Sequence, residues 1–177
     1  MDLYVTRHGQ TDANVQNIMI GKYDIDLNEK GIEQAEITRD ELKDIKFDLI
    51  ISSPLLRTKH TADVININNY PVIYDDRLME RDCGEFTKKG FDSLDRALYW
   101  NFYDTTKYEK AETLAQLFRR VYDFLNEIKD KYQDKTVLIV THSGITKTIH
   151  SYFNGIPEDG NLLEKGLKNC EVKKYRL

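Results

Sequence analysis

Arg7 and His8 stand side by side, directly after the apolar run Leu3-Tyr4-Val5 and ahead of the turn-prone stretch Gln10-Thr11-Asp12-Ala13-Asn14. The pair couples a cation suited to oxyanions with an imidazole able to attack phosphorus. One dipeptide is weak by itself, but three more positions repeat its context. The apolar stretch 48–52 leads through Ser53-Pro54 to Arg57, Glu80 comes shortly after 72–74, and Val137-Leu138-Ile139-Val140-Thr141 ends at His142-Ser143-Gly144. Two arginines and a second histidine around His8 suit a tetrahedral dianion, because guanidinium forks match phosphate oxygens in pairs. Phosphoryl transfer asks mainly for in-line placement and neutralisation of the equatorial oxygens. His8 is expected to attack as the neutral imidazole and form a phosphohistidine, its charged form being disfavoured by the cations nearby. Glu80 is expected to protonate the leaving oxygen and then to deprotonate water. The N-terminus of a helix after His142 would add backbone N–H groups and a favourable dipole.

These residues can act together only if the chain brings them to one edge of a sheet. Strand-like runs lie at 3–6, 48–52, 72–74 and 136–141, and a more polar one at 171–177 suits an edge. Helical patterns separate them. One spans 29–44 behind Asn28, a plausible N-cap, and the next is expected to begin at Ser53-Pro54. Leu114, Leu117, Phe118, Val121, Leu125 and Ile128 mark an amphipathic helix, and a last helix follows His142. This alternation predicts an α/β three-layer sandwich, with a mostly parallel central sheet and helices on both faces. In such sheets ligands gather at the carboxyl ends of the strands, where Arg7, His8, Arg57, Glu80 and His142 all fall. The aromatic-rich segment 86–110 is read as a helical insertion capping those strand ends. Whether Tyr99, Trp100, Phe102 and Tyr103 meet substrate or only pack the cap is left open by the sequence.

The 177 residues, 40% of them hydrophobic, suffice for one domain over 1–177 with a full core. A net charge of −4 argues against general nucleic-acid affinity, while leaving room for a locally basic pocket. Cys83 and Cys170 match no metal-ligand spacing and read as free thiols of a reducing compartment. No signal-peptide core and no apolar window of membrane-spanning length is visible, so a cytoplasmic protein without a membrane partner is expected. The acidic residues form no recognisable metal-ligand cluster.

The same residues lie in motifs that resemble those of the histidine phosphatases, the superfamily that includes cofactor-dependent phosphoglycerate mutases. Arg7-His8-Gly9 with Gln10-Thr11 matches its signature, and Asn14, Gly21, Asp24, Leu27, Gly31 and Gln34-Ala35 resemble the continuation. Ser53-Pro54-Leu55-Leu56-Arg57 with Thr61-Ala62 resembles its second motif, and Leu78, Glu80 and Gly84 the motif with the acid. Val140-Thr141-His142-Ser143-Gly144 matches the segment of its second histidine, and Asn169-Cys170-Glu171-Val172 resembles its closing strand. The resemblance implies a mixed sheet sandwiched by helices and catalysis without a metal or other cofactor. It makes His8 the phosphorylated nucleophile and Glu80 the acid/base. Arg7, Arg57 and His142 then bind the phosphoryl group, assisted by Asn14, Gly21 and Ser143.

Two departures stand out. Thr87-Lys88 replace the family's acidic-glycine pair after the aromatic Phe86, and the long insertion of glycolytic mutases is absent. A compact cover admits water, so hydrolysis of a small phosphorylated metabolite is favoured over a mutase or a non-catalytic phosphate-binding module. His60 and His150 read as surface or packing residues on helices, and Cys83 as a small buried residue. Arg81, Asp82, Lys88-Lys89 and Lys173-Lys174 read as solvated charges.

Overall fold

The computed structural model describes residues 1–106 and 108–177; Lys107, inside the segment 86–110, lies outside the described residues. Among these residues five strands form the sheet: β1 (Asp2–Arg7), β2 (Leu49–Ser52), β3 (Val72–Tyr74), β4 (Thr136–Thr141) and β5 (Val172–Arg176). Their spatial order is β3-β2-β4-β1-β5. The first four are parallel, and β5 pairs antiparallel with β1, Leu3 opposite Tyr175.

Among the described residues six helices accompany the sheet: α1 (Asp12–Val15), α2 (Glu29–Leu42), α3 (Leu56–Ile65), α4 (Arg96–Tyr99), α5 (Leu114–Lys131) and α6 (Ser143–Asn154). Side chains alternate across the strands, so each strand serves two cores. Leu3, Val5, Leu49, Ile51, Val137 and Ile139 pack with Leu117, Phe124, Leu125, Ile145 and Ile149 of α5 and α6. On the other face, Ile50, Leu138 and Val140 pack with Leu42, Ala62 and Ile65 of α2 and α3. The result is the helix–sheet–helix layering expected from the sequence.

Three local features depart from the sequence expectation. Helix α3 begins at Leu56 rather than at Ser53-Pro54. The Ser53 hydroxyl instead meets the His142 ring at 2.8 Å, and the Leu56 N–H is capped by Asp24 Oδ1 at 2.7 Å. Helix α2 is capped by Asn28, whose Oδ1 accepts from Gly31 N at 2.9 Å, and ends two residues early, at Leu42. Among the described residues of 86–110, helix occurs only in short pieces, namely α4 and 3-10 turns at Gly84–Phe86 and Phe91–Ser93.

The start of α2 lies against the loop after β1 with backbone touching backbone. A Cβ on Gly9 would run into the Gly31 carbonyl, and one on Gly31 into the Gln10 carbonyl. Only a glycine pair permits this approach, which holds the loop after His8 in place.

Candidate active site

His8 follows β1 immediately, and its N–H extends the ladder to the Thr141 carbonyl at 2.9 Å. The ring is buried, with Nδ1 2.7 Å from the Gly9 carbonyl oxygen. A carbonyl can only accept, so Nδ1 carries the hydrogen. Burial, with Arg57 and Arg7 nearby, holds the pKa of His8 well below its ordinary 6.5. The ring is therefore neutral at pH 7, and its lone pair sits on Nε2. His142, just past β4, lies edge-on to it with ring centroids 5.2 Å apart. Burial and then Arg57 hold its pKa well below 6.5 as well.

Arg57 is carried into the same space by the first turn of α3 and is 1% exposed. Its Nη2 donates to the Gly21 carbonyl at 2.8 Å and its Nη1 to that of Tyr23 at 3.1 Å. Arg7, the last residue of β1, donates from Nη1 to the Leu167 carbonyl at 3.2 Å. Burial lowers the pKa of both guanidiniums, that of Arg57 to about 10, so each stays cationic at neutral pH. Among the described residues, four buried side-chain polar atoms have no hydrogen-bond partner: Arg7 Nε, Arg57 Nε, His142 Nδ1 and Tyr99 Oη. Buried polar atoms in folded proteins are nearly always satisfied, and here the exceptions converge on one place.

Glu80 reaches the site from the loop after the 3-10 turn Asp76–Leu78 that follows β3. Its Oε1 accepts from Arg81 N at 2.8 Å, and both carboxylate oxygens lie 3.1 Å from Gly144 N, in the first turn of α6. A Cβ on Gly144 would collide with Glu80 Oε1 and with the Trp100 ring, so the carboxylate position requires glycine. The loop is braced from outside. Thr141 Oγ1 donates to the Leu78 carbonyl at 2.8 Å, and Arg120 donates to the Arg77 carbonyl at 2.5 Å and the Glu80 carbonyl at 3.4 Å. Arg120 is itself held by Glu112 at 2.6 Å.

A cavity of about 200 Å3 opens over these groups. Of the residues expected from the sequence, Arg7, His8, Asn14, Gly21, Arg57, Glu80 and Ser143 line it. His142 is not among the lining residues; its ring lies beside that of His8, with Nδ1 unpartnered. The aromatic cluster divides. Tyr99 and Trp100 line the cavity, Phe102 packs on Phe118 with centroids 4.8 Å apart, and Tyr103 is exposed. Cys83 is buried on the wall, where burial pushes its thiol up to about 11. His60 pairs with Asp26 at 2.8 Å, off the cavity wall, and His150 lies on α6 beside Asn154.

Arg81 is a correction. Expected to be solvated, it is 3% exposed, lies 3.7 Å over the Tyr99 ring, and donates to the Glu112 carbonyl at 2.8 Å and the Tyr99 carbonyl at 2.6 Å. Its covers arrive from 18 and 31 residues further along, out of reach of any local charge pattern. Asp82 is half-buried and accepts from Gly84 N at 2.9 Å. Lys88 and Lys89 are exposed as expected, but Lys88 has φ +68°, the left-handed conformation that favours glycine. Its ammonium lies 3.7 Å over the Tyr23 ring.

Arg96, Lys147 and Asn169 also belong to this region, and sequence reasoning gave none of them a role. Arg96 and Lys147 line the cavity. Asn169, just before β5, donates from Nδ2 to the His8 carbonyl at 2.9 Å and to Asn14 Oδ1 at 3.3 Å. Its place in the closing-strand motif was a signal for it. Among the described residues no group of three or more His, Cys, Asp or Glu side chains could hold a metal ion, and no helix is long and apolar enough to cross a membrane.

A family model described as the histidine phosphatase superfamily (branch 1) matches residues 3–177. The chain is 36% identical over 179 residues to "Uncharacterized phosphatase PhoE" of Bacillus subtilis (strain 168), covering 98% of this chain and 90% of that protein. It is 29% identical over 161 residues to "Phosphoserine phosphatase 1" of Hydrogenobacter thermophilus, covering 87% and 76%. Among solved structures, Bacillus stearothermophilus YhfR superposes with a TM-score of 0.88 at 27% identity, over 98% of this chain and 89% of that one.

Proposed function

Since the chain belongs to the histidine phosphatase superfamily (branch 1), we propose that it is a metal-independent phosphomonoester hydrolase, working through a phosphohistidine on a small phosphorylated metabolite. The observation that carries this reading is the hydrogen bond from His8 Nδ1 to the Gly9 carbonyl, which leaves a neutral ring with its lone pair on Nε2 beside two buried guanidiniums.

The proposed chemistry has two displacements. In the first, His8 Nε2 forms a bond to phosphorus as the P–O ester bond breaks. The electron pair leaves with the ester oxygen, which takes a proton from Glu80, and the alcohol departs. The positive charge left on the phosphorylated ring is met by the Gly9 carbonyl at Nδ1. In the second, the Glu80 carboxylate takes a proton from water as the water oxygen bonds to phosphorus. The P–N bond breaks and its electrons return to Nε2, which restores the free enzyme. Arg7, Arg57 and His142 are assigned to the equatorial oxygens, whose charge the two guanidiniums offset. Asn14, Ser143 and the backbone at Gly21 complete the phosphate site. We further place the protein in the cytoplasm as one domain without a nucleic-acid partner, a reading supported by two buried free thiols and a net charge of −4.

Rapid mixing with a 32P-labelled phosphoester followed by acid-free denaturation tests the reading. A phosphoenzyme that is labile in acid and absent from His8→Ala is the expected result, with inorganic phosphate as product. Labelling of the His8→Ala variant overturns the nucleophile, and interconversion of phosphoglycerates without phosphate release overturns the hydrolase.

A further inference from the structure

Glu80 lies on a short loop between two 3-10 turns, Asp76–Leu78 and Gly84–Phe86. Regular structure does not fix its main chain there, yet a general acid must stand within a fraction of an ångström of its working position. The fixing comes from α5. Arg120 projects from the middle of this helix, whose Leu117, Val121 and Phe124 are buried in the core. Its Nε and Nη2 donate to the two carboxylate oxygens of Glu112, at 2.6 and 2.8 Å. The same guanidinium donates to two main-chain carbonyls, from Nη1 to Arg77 at 2.5 Å and from Nη2 to Glu80 at 3.4 Å.

Glu112 holds the far end of the same loop. Its N–H donates to the Asp82 carbonyl at 3.0 Å, its Oε2 accepts from Asp82 N at 3.3 Å, and its carbonyl accepts from Arg81 Nε at 2.8 Å. Arg77, Glu80, Arg81 and Asp82 are thus tied to one bidentate pair. With side chains 18% and 12% exposed, it is the most shielded ion pair among the described residues, so water and salt weaken it least. The Glu80 carboxylate is engaged elsewhere, by Arg81 N and Gly144 N, and neither Arg120 nor Glu112 lines the active-site cavity.

Resting on the hydrolase reading for the step that Glu80 performs, we infer that Arg120 and Glu112 are positioning residues for proton transfer to the leaving group. They touch neither substrate nor reacting atoms. They hold the Glu80 main chain so that its carboxyl passes its proton to the ester oxygen as the P–O bond breaks. Without the fork the loop shifts, and a misplacement of about 1 Å lowers the rate on the order of 10²-fold. That loss falls on esters whose leaving oxygen needs the proton, whereas a pair that only stabilises the fold would affect all esters alike. Arg120 also stands last, after burial, Arg57, His8 and Arg7, among the influences that keep His142 neutral, so placement has to be separated from charge.

Rapid-quench measurement of the first turnover makes that separation, with phenyl phosphate and p-nitrophenyl phosphate as probes. Both carry a phenyl ring, but phenolate is the poorer leaving group and depends on the proton. Arg120→Met is expected to slow phenol release about 10- to 100-fold and p-nitrophenol release about threefold or less. Unchanged affinity for orthophosphate reports an intact cavity. Arg120→Lys should recover only a small part of the loss, because an ammonium keeps the charge but not the fork. Glu112→Gln keeps the shape of the partner without its charge and should show the same selective loss on a smaller scale. It decides the outcome if Arg120→Met no longer binds orthophosphate. Equal losses on the two esters overturn the inference, as do wild-type rates. Full recovery in Arg120→Lys overturns it too, by reducing Arg120 to a charge near His142. If the wild-type protein forms no phosphoenzyme from either ester, the hydrolase reading itself fails and takes the inference with it.

Discussion

Acidification in phosphate-free buffer should destabilise this protein through two residues of its own active site. His8 and His142 are both buried, and in both the pKa lies well below 6.5. In the unfolded chain each binds a proton near its ordinary pKa of about 6.5. With the folded pKa depressed, stability is fully present above the unfolded pKa and is lost as the pH falls from there toward the folded one. One unit lower, at about pH 5.5, each neutral buried histidine costs about 1.4 kcal/mol relative to neutral pH, so the pair costs about 3 kcal/mol. For a chain of this length about 2–4 °C is lost per kcal/mol, which predicts a fall in Tm of roughly 6–12 °C.

Other groups leave this window to the histidines. The carboxylates with lowered pKa, Asp2, Asp40, Asp48 and Asp75, bind protons at lower pH, and Lys147, with its pKa at about 8, is protonated in both states. His150 is lowered too, by burial and two lysines, and being half-exposed adds a smaller drop of the same sign. Thermal melts followed by circular dichroism across this range provide the measurement. His8→Gln should lose about half of the two-histidine drop, near 1.4 kcal/mol. Equal stability at both ends of the range, or the same drop in His8→Gln as in wild type, would refute the reasoning.

Three further outcomes follow from the site and its surroundings. Glu80→Gln should lower kcat about 10²- to 10⁴-fold on an alkyl phosphoester but much less on p-nitrophenyl phosphate, whose leaving group needs no proton; equal losses on both would remove Glu80 from the acid role. Gly144→Ala should leave the far-ultraviolet spectrum intact and lower kcat about 10²-fold, because the added methyl meets the Glu80 carboxylate; wild-type turnover contradicts this. Lys88→Gly should raise the urea midpoint by the equivalent of about 1 kcal/mol through relief of the left-handed backbone at φ +68°, less what the Tyr23 contact contributes. A lowered midpoint would mean that the ring contact outweighs the backbone strain.

The layering was legible in the sequence because it follows from short-range periodicity. Val137-Leu138-Ile139-Val140 and Leu49-Ile50-Ile51 read as buried strands, and the α5 stripe reads as one amphipathic face. The ends of elements were less legible where side chains serve distant partners. Ser53 resembles a helix cap, but its hydroxyl belongs to His142, 89 residues away. Arg7, His8, Arg57 and Glu80 could be placed at one edge of the sheet because strand ends announce themselves in the chain. Arg81 and Lys147 were not, since each is enclosed by segments that arrive from elsewhere: Tyr99 and Glu112 for the one, Trp100 and Leu163 for the other. Asn169 reaches His8 only because β5 runs antiparallel, which brings its start to the edge where the other strands end.

The crowd of cations around one carboxylate also bears on how a catalytic cycle closes. Arg7 and Arg57 can hold free orthophosphate by the contacts that hold an ester. Once water has cleaved the phosphohistidine, the product ion is left in a concave, positively charged chamber, on a protein whose overall charge is negative. Departure of that ion becomes a step with its own barrier. Orthophosphate is then expected to compete with the ester for the same cations.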